Sequence, residues 1–120
     1  MSKYNVVKEK SFAFALRCIK LYRYLRDDKN EYVISKQILR SGTSIGANVK
    51  EGIFAQSKPD FLTKFSIAKK EAAETEYWLE LLDASEILSV KEADSMLADC
   101  RELLKMLVTI CKKSGPRDKF

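Results

Sequence analysis

Histidine is absent from the 120-residue chain. Its absence removes the side chain that most often acts as a general base near neutral pH, along with the commonest nitrogen ligand of zinc. Glycine and proline are scarce, at four and two residues, and Pro116 lies close to the end. So few breakers allow long uninterrupted helices and exclude a turn-rich β fold. No apolar run approaches the ~18 residues of a membrane span. The opening "MSKYNVVKEK" lacks the basic-then-apolar order of a secretory signal, so a cytoplasmic location is expected, with no membrane partner. Cys18, Cys100 and Cys111 form no CxxC pair and have no histidine to complete a zinc site. Buried, reduced thiols are the expectation.

What is present suits one domain over residues 1–120. Hydrophobic residues make up 46% of the chain, enough for a core. The 22 basic residues outnumber the 17 acidic ones, for a net charge of +5. That surplus permits a nucleic-acid partner without requiring one.

Periodicity predicts four helices, over about 8–28, 35–56, 59–86 and 90–113, with a frayed tail over 114–120. In the first, Phe12, Ala15, Cys18, Ile19, Tyr22 and Leu25 share a wide face. The second has Ser35 as a plausible N-cap and a stripe of Ile38, Gly42, Ile45, Val49 and Ile53. The third follows Ser57 and Asp60, at capping-box spacing, with Pro59 in its first turn. The fourth opens on Ser89-Val90-Lys91-Glu92, another capping box. Four amphipathic helices joined by short connections predict an all-α, antiparallel up-down-up-down four-helix bundle. The first and last helices have apolar arcs wider than a surface helix needs, extended by Phe14, Leu21, Leu103, Met106 and Ile110. That excess predicts a self-association surface.

The stretch "RSGTSIGAN", Arg40 to Asn48, allows three readings. A phosphate-binding loop needs GxxxxGK[ST] after a strand, whereas here Ala47 and Asn48 follow Gly46. A hinge loop would suit the two glycines, which cost a helix about 2 kcal/mol relative to alanine. A narrow helix face admitting a close neighbour suits the apolar stripe that runs straight through, and it is the favoured reading.

The third helix sets Glu71 inside its apolar arc. Burial of that carboxylate calls for hydrogen bonds. Antiparallel register predicts that Glu71 accepts from Ser41, Ser44 or Asn48, and that Glu74 pairs with Arg40. A carboxylate cluster of Glu71, Glu74, Glu76 and Glu51 binding a metal is the alternative. It lacks the Glu-x-x-His pairs of ferritin-like bundles, so no metal and no cofactor is expected. Tyr77-Trp78 reads as core plus rim, with base stacking as the alternative.

"LRSGTSIGANVKEG" (Leu39 to Gly52), "SKPDF" (Ser57 to Phe61) and "IAKKEAAETEYWLELL" (Ile67 to Leu82) resemble the proteins encoded within intervening sequences of bacterial 23S ribosomal RNA genes. That family is also labelled S23 ribosomal protein. "FAFALRCIKLYRYL" is similar to its first helix. Gly46 stands where many relatives have proline. The resemblance implies a four-helix bundle assembling into ring-like homo-oligomers, pentamers foremost. It also relates the chain to accessory variability proteins of diversity-generating retroelements, which bind nucleic acid and a reverse transcriptase through a basic surface. No enzymatic activity attaches to the family. The motif transfers as Arg40, Ser41, Ser44, Asn48, Glu51, Glu71 and Glu74, mostly as structural residues.

Basic residues cluster by helix face: Lys10, Arg17 and Lys20 on the first helix, Arg101, Lys105 and Lys112 on the fourth, and Lys36, Arg40 and Lys50 on the second. The first two clusters are the candidate nucleic-acid contacts. Two function classes remain. One is a non-catalytic oligomer that binds RNA or other nucleic acid without strong sequence preference. The other is an oligomeric scaffold whose partner is a protein. No nucleophile–base pair supports an enzyme.

Overall fold

The computed structural model of the chain describes residues 3–114. They form four helices: α1 (Asn5–Asp27), α2 (Ile34–Ile53), α3 (Lys58–Ala84) and α4 (Val90–Ser114). No strand occurs among the described residues. The backbones pack along the four sides of a square, α4 returning to α1, and across the diagonal Tyr4, at the start of α1, meets Phe61 and Phe65 of α3 with ring centroids 5.2 and 5.6 Å apart. Partner numbers fall as positions rise along α1 against α2 (Ser11 with Gly46, Cys18 with Gly42), along α2 against α3 (Ser41 with Thr75, Glu51 with Lys64) and along α1 against α4 (Lys10 with Glu102, Arg17 with Asp99), so every adjacent pair is antiparallel. The tail expected over 114–120 falls, past Ser114, outside the described residues.

Helix starts follow their local chemistry. At α4 the capping box forms in both directions: Glu92 N–H donates to Ser89 Oγ at 3.1 Å, and Ser89 N–H to Glu92 Oε1 at 2.8 Å. Ser57 Oγ accepts from Asp60 N–H at 3.2 Å to start α3. At α2 the expectation needs correction, because Ser35 is not the cap. The Glu31 carboxylate takes the N–H groups of Val33, Ile34 and Ser35, at 3.0, 3.0 and 2.7 Å, and Ser35 Oγ donates back to the Glu31 carbonyl at 2.9 Å. A carboxylate suits these free N–H groups, which carry the positive end of the helix dipole.

The stretch from Arg40 to Asn48 lies inside α2 as unbroken helix. Its glycines face α1. A Cβ on Gly42 would stand 2.9 Å from Cys18 Cβ, and one on Gly46 would stand 3.3 Å from the Ser11 carbonyl oxygen. The missing side chains therefore let the α1 backbone approach. Around this contact Phe14, Cys18, Leu25, Ile38, Ile45, Phe65, Leu79 and Leu107 are buried. Burial holds the Cys18 and Cys100 thiols protonated, with pKa values raised to about 12; Cys111 is half-buried.

The wide apolar arcs are largely consumed inside the bundle. Phe14, Leu21 and Leu103 are buried, and Met106 and Ile110 half-buried, so they do not form the self-association surface expected of them. A helix in a square bundle touches two neighbours and needs a wider apolar arc than a helix lying on a surface. What stays exposed of the large apolar residues on α1 is Val6, at 55%, Phe12, at 66%, and Leu16, at 47%. Phe12 and Ala15 line one wall of a groove of about 520 Å³ whose other wall is Thr43, Gly46 and Ala47 of α2.

Candidate nucleic-acid interface

Between α2 and α3 the polar motif forms a structural network. Thr75 Oγ1 bonds both Ser41 Oγ and the Glu71 carbonyl oxygen at 2.8 Å, entirely buried on the Ser41 side. Arg40 pairs with Glu74, and its other nitrogen lies 3.5 Å from Glu71. Glu71 thus meets a guanidinium and does not accept from Ser41, Ser44 or Asn48. Ser44 Oγ and Asn48 Nδ2 instead donate one turn back along α2, to the carbonyls of Arg40 and Ser44. Hydroxyls and amides inside a helix have that local carbonyl within reach. The Trp78 indole N–H donates to Glu74 at 3.0 Å. This bond, followed by the Arg40 guanidinium, holds the Glu74 carboxyl below its ordinary pKa.

The four carboxylates of the alternative metal set do not gather at one point among the described residues. Glu51 pairs with Lys64 and Glu76 with Arg101, while Glu71 and Glu74 face Arg40. Tyr77 and Trp78 meet edge to face, with centroids 5.1 Å apart, and leave Tyr77 exposed.

The six candidate cations separate into two groups. Lys10 and Arg17 do not point freely outward from α1; they reach across to α4. Lys10 Nζ lies 2.7 Å from Glu102, and Arg17 lies 2.7 Å from Asp99 and 2.8 Å from Ser95 Oγ. These bridges close the seam between α1 and α4, the most sparsely packed of the four. Arg101 turns the other way, to Glu76 at 2.8 Å and Glu80 at 3.3 Å on α3, and so leaves the stripe expected with Lys105 and Lys112. Lys20, Lys105 and Lys112 form no ion pair among the described residues.

Two clefts open where the seam's bridges end. Lys20, Tyr24 and Lys91 line one of about 460 Å³, which Glu92 also borders. Lys3, Val6, Lys105 and Met106 line the other, of about 350 Å³. Lys3 and Lys91 were absent from the sequence-based candidates. The signal was there: Lys3, Lys10 and Arg17 recur every seven residues, as do Lys91, Ala98, Lys105 and Lys112. Seven residues are nearly two full turns, so the α4 series runs down one face, as do Lys10 and Arg17 on α1, with Lys3 just before that helix.

Residues 3–109 match the family described as 23S rRNA-intervening sequence protein. Among solved structures, a protein of unknown function from the S23 ribosomal protein family of Bacteroides thetaiotaomicron is similar at 52% identity and a TM-score of 0.89. The match covers 92% of this chain and 99% of that one. No curated protein matches the chain. Among the described residues, no helix is long and apolar enough to cross a membrane.

Proposed function

The chain belongs to the 23S rRNA-intervening sequence protein family, and from that premise we propose that it is a non-catalytic, oligomeric protein of the cytoplasm that binds RNA or other nucleic acid through basic surface, without strong sequence preference. One observation supports this most. Among the described residues, Arg17, Arg26, Arg40 and Arg101 are each paired with carboxylates and exposed Arg23 is not, whereas Lys20, Lys91, Lys105 and Lys112 all form no ion pair. Arginine forks read base edges in pairs of hydrogen bonds, while lysines act as mobile point charges on phosphates. A surface whose unpaired cations are mostly lysines favours affinity for any phosphate backbone over recognition of a sequence. Oligomerisation multiplies the effect, since each copy brings a net charge of +5.

The test is a titration of two unrelated RNA sequences at low salt. Equal affinities, within about threefold, are expected. Absence of binding at low salt, or a strong preference for one sequence, contradicts the proposal.

Exposed Phe12 and Leu16, beside the groove between α1 and α2, favour the second reading, an oligomeric scaffold with a protein partner. The two readings separate on charge. A scaffold would keep its partner when Lys105 and Lys112 are both changed to glutamate, and a nucleic-acid binder would lose affinity. The same apolar pair is the proposed self-association surface: Phe12→Glu with Leu16→Glu is expected to lower the mass in solution, and an unchanged mass counts against it.

A further inference from the structure

We infer that the two clefts of the α1–α4 seam are a pair of anchors for the phosphate backbone of one double-stranded nucleic acid lying along the seam. This rests on the nucleic-acid reading above and specifies where, and in what form, the ligand sits.

Three observations converge. First, each end of the seam carries two lysines that form no ion pair among the described residues. Lys20 and Lys91 border the cleft at one end, Lys3 and Lys105 the cleft at the other. Second, the middle of the seam is already neutralised. Glu102 and Asp99 are matched there by Lys10 and Arg17, so a polyanion crossing it meets no uncompensated carboxylate at those bridges. Third, the clefts lack a stacking platform. Tyr24 is the one aromatic side chain lining either of them, and Lys29 lies over its ring at 5.6 Å. Proteins that hold single strands add aromatic stacking to their basic grooves. Tyr77 and Trp78 stand on α3, diagonally across the square from α1. Lysines without rings suit a duplex, whose bases are turned inward and whose phosphates are the accessible feature.

Helix geometry sets the spacing. Asn5, two residues after Lys3, stands about 22 Å from Lys20 along α1, and Lys91 about 21 Å from Lys105 along α4, at about 1.5 Å per residue. A duplex strand presents a phosphate roughly every 3.4 Å of axis, so the two anchors stand roughly six to seven phosphates apart. A duplex shorter than that reaches one anchor only.

The experiment compares duplexes of about 6 and about 14 base pairs, as RNA and as DNA, on the full chain and three double variants. Lys20→Glu with Lys91→Glu removes one anchor, and Lys3→Glu with Lys105→Glu removes the other. Lys36→Glu with Lys50→Glu, on α2, makes the same charge change away from the seam. Each anchor pair is expected to weaken binding of the long duplex at least tenfold. It should also make the slope of log affinity against log salt shallower by about 2, for two lost phosphate contacts. The α2 pair should act several-fold less, and the wild type should bind the long duplex far more tightly than the short one. RNA and DNA duplexes should behave alike, because both present phosphates. If the wild type binds duplex but the α2 pair weakens it as much as either anchor pair, the seam is not the seat, while the nucleic-acid reading stands. Equal affinity for long and short duplexes, or tighter binding of the single strand, likewise overturns the two-anchor arrangement. If the wild type binds none of the probes, the underlying reading fails with it.

Discussion

Gly42 is where one residue decides a helix–helix distance. A methyl there would come within 2.9 Å of Cys18 Cβ, inside a core where both residues are fully enclosed. Alanine would gain about 1 kcal/mol of helix propensity, but overpacking costs about 1–3 kcal/mol. Gly42→Ala is therefore expected to lower stability by up to about 2 kcal/mol in urea unfolding. Adding Cys18→Ala, which clears the obstructing sulfur, should recover part of that loss, and strict additivity of the two changes would contradict the contact. Glu74 makes a second residue-scale prediction. Its pKa is lowered in the folded chain by the Trp78 N–H and then by Arg40. A depressed carboxylate contributes stability above its unfolded pKa, near 4.5, and loses that contribution as pH falls through the lower folded value. Acid unfolding should accordingly be less steep in Trp78→Phe, which deletes the larger cause. Identical pH profiles for the two proteins would show that the indole bond is idle.

At the scale of the element, the entry to α2 rests on Glu31, whose carboxylate takes three successive backbone N–H groups. Glu31→Ala should cost about 1–2 kcal/mol in thermal or urea unfolding, in the range of a lost N-cap, while Glu31→Gln should retain part of it. A loss under 0.3 kcal/mol, roughly the noise of such measurements, would assign the cap to solvent. This cap also shows what the sequence could and could not tell. The boxes at Ser57 and Ser89 were legible because their partners sit three residues on, a spacing with a known geometry. Glu31 caps from outside the helix, three and four residues before Ile34 and Ser35, and no local spacing rule announces it. The helix through Gly42 and Gly46 was legible from Ile38, Ile45 and Val49, since a hydrophobic stripe overrides two weak propensities. The acceptors of Glu71 were not. A helical wheel fixes which face a side chain occupies, but Arg40 was long enough to reach it, while Ser44 and Asn48 had nearer carbonyls.

Across the whole molecule, the four arcs and their order were readable, and the pairing of surface charges was not. Each helix alone showed a basic stripe. Only the square arrangement reveals that Lys10 and Arg17 meet acids of α4, that Arg101 meets acids of α3, and that Lys3 and Lys91 join Lys105 and Lys20 at the seam. Four lysines line the two clefts of the seam, two in each, placed to hold phosphate. At about 0.9 units of slope per contact, four contacts give a definite salt dependence. The decisive measurement is the affinity of the wild-type protein for a duplex of mixed sequence between about 50 and about 200 mM salt. A log–log slope of about −3 to −4 per bound protomer is predicted. A slope near zero, with binding that persists at high salt, would contradict a lysine–phosphate interface on the α1–α4 seam.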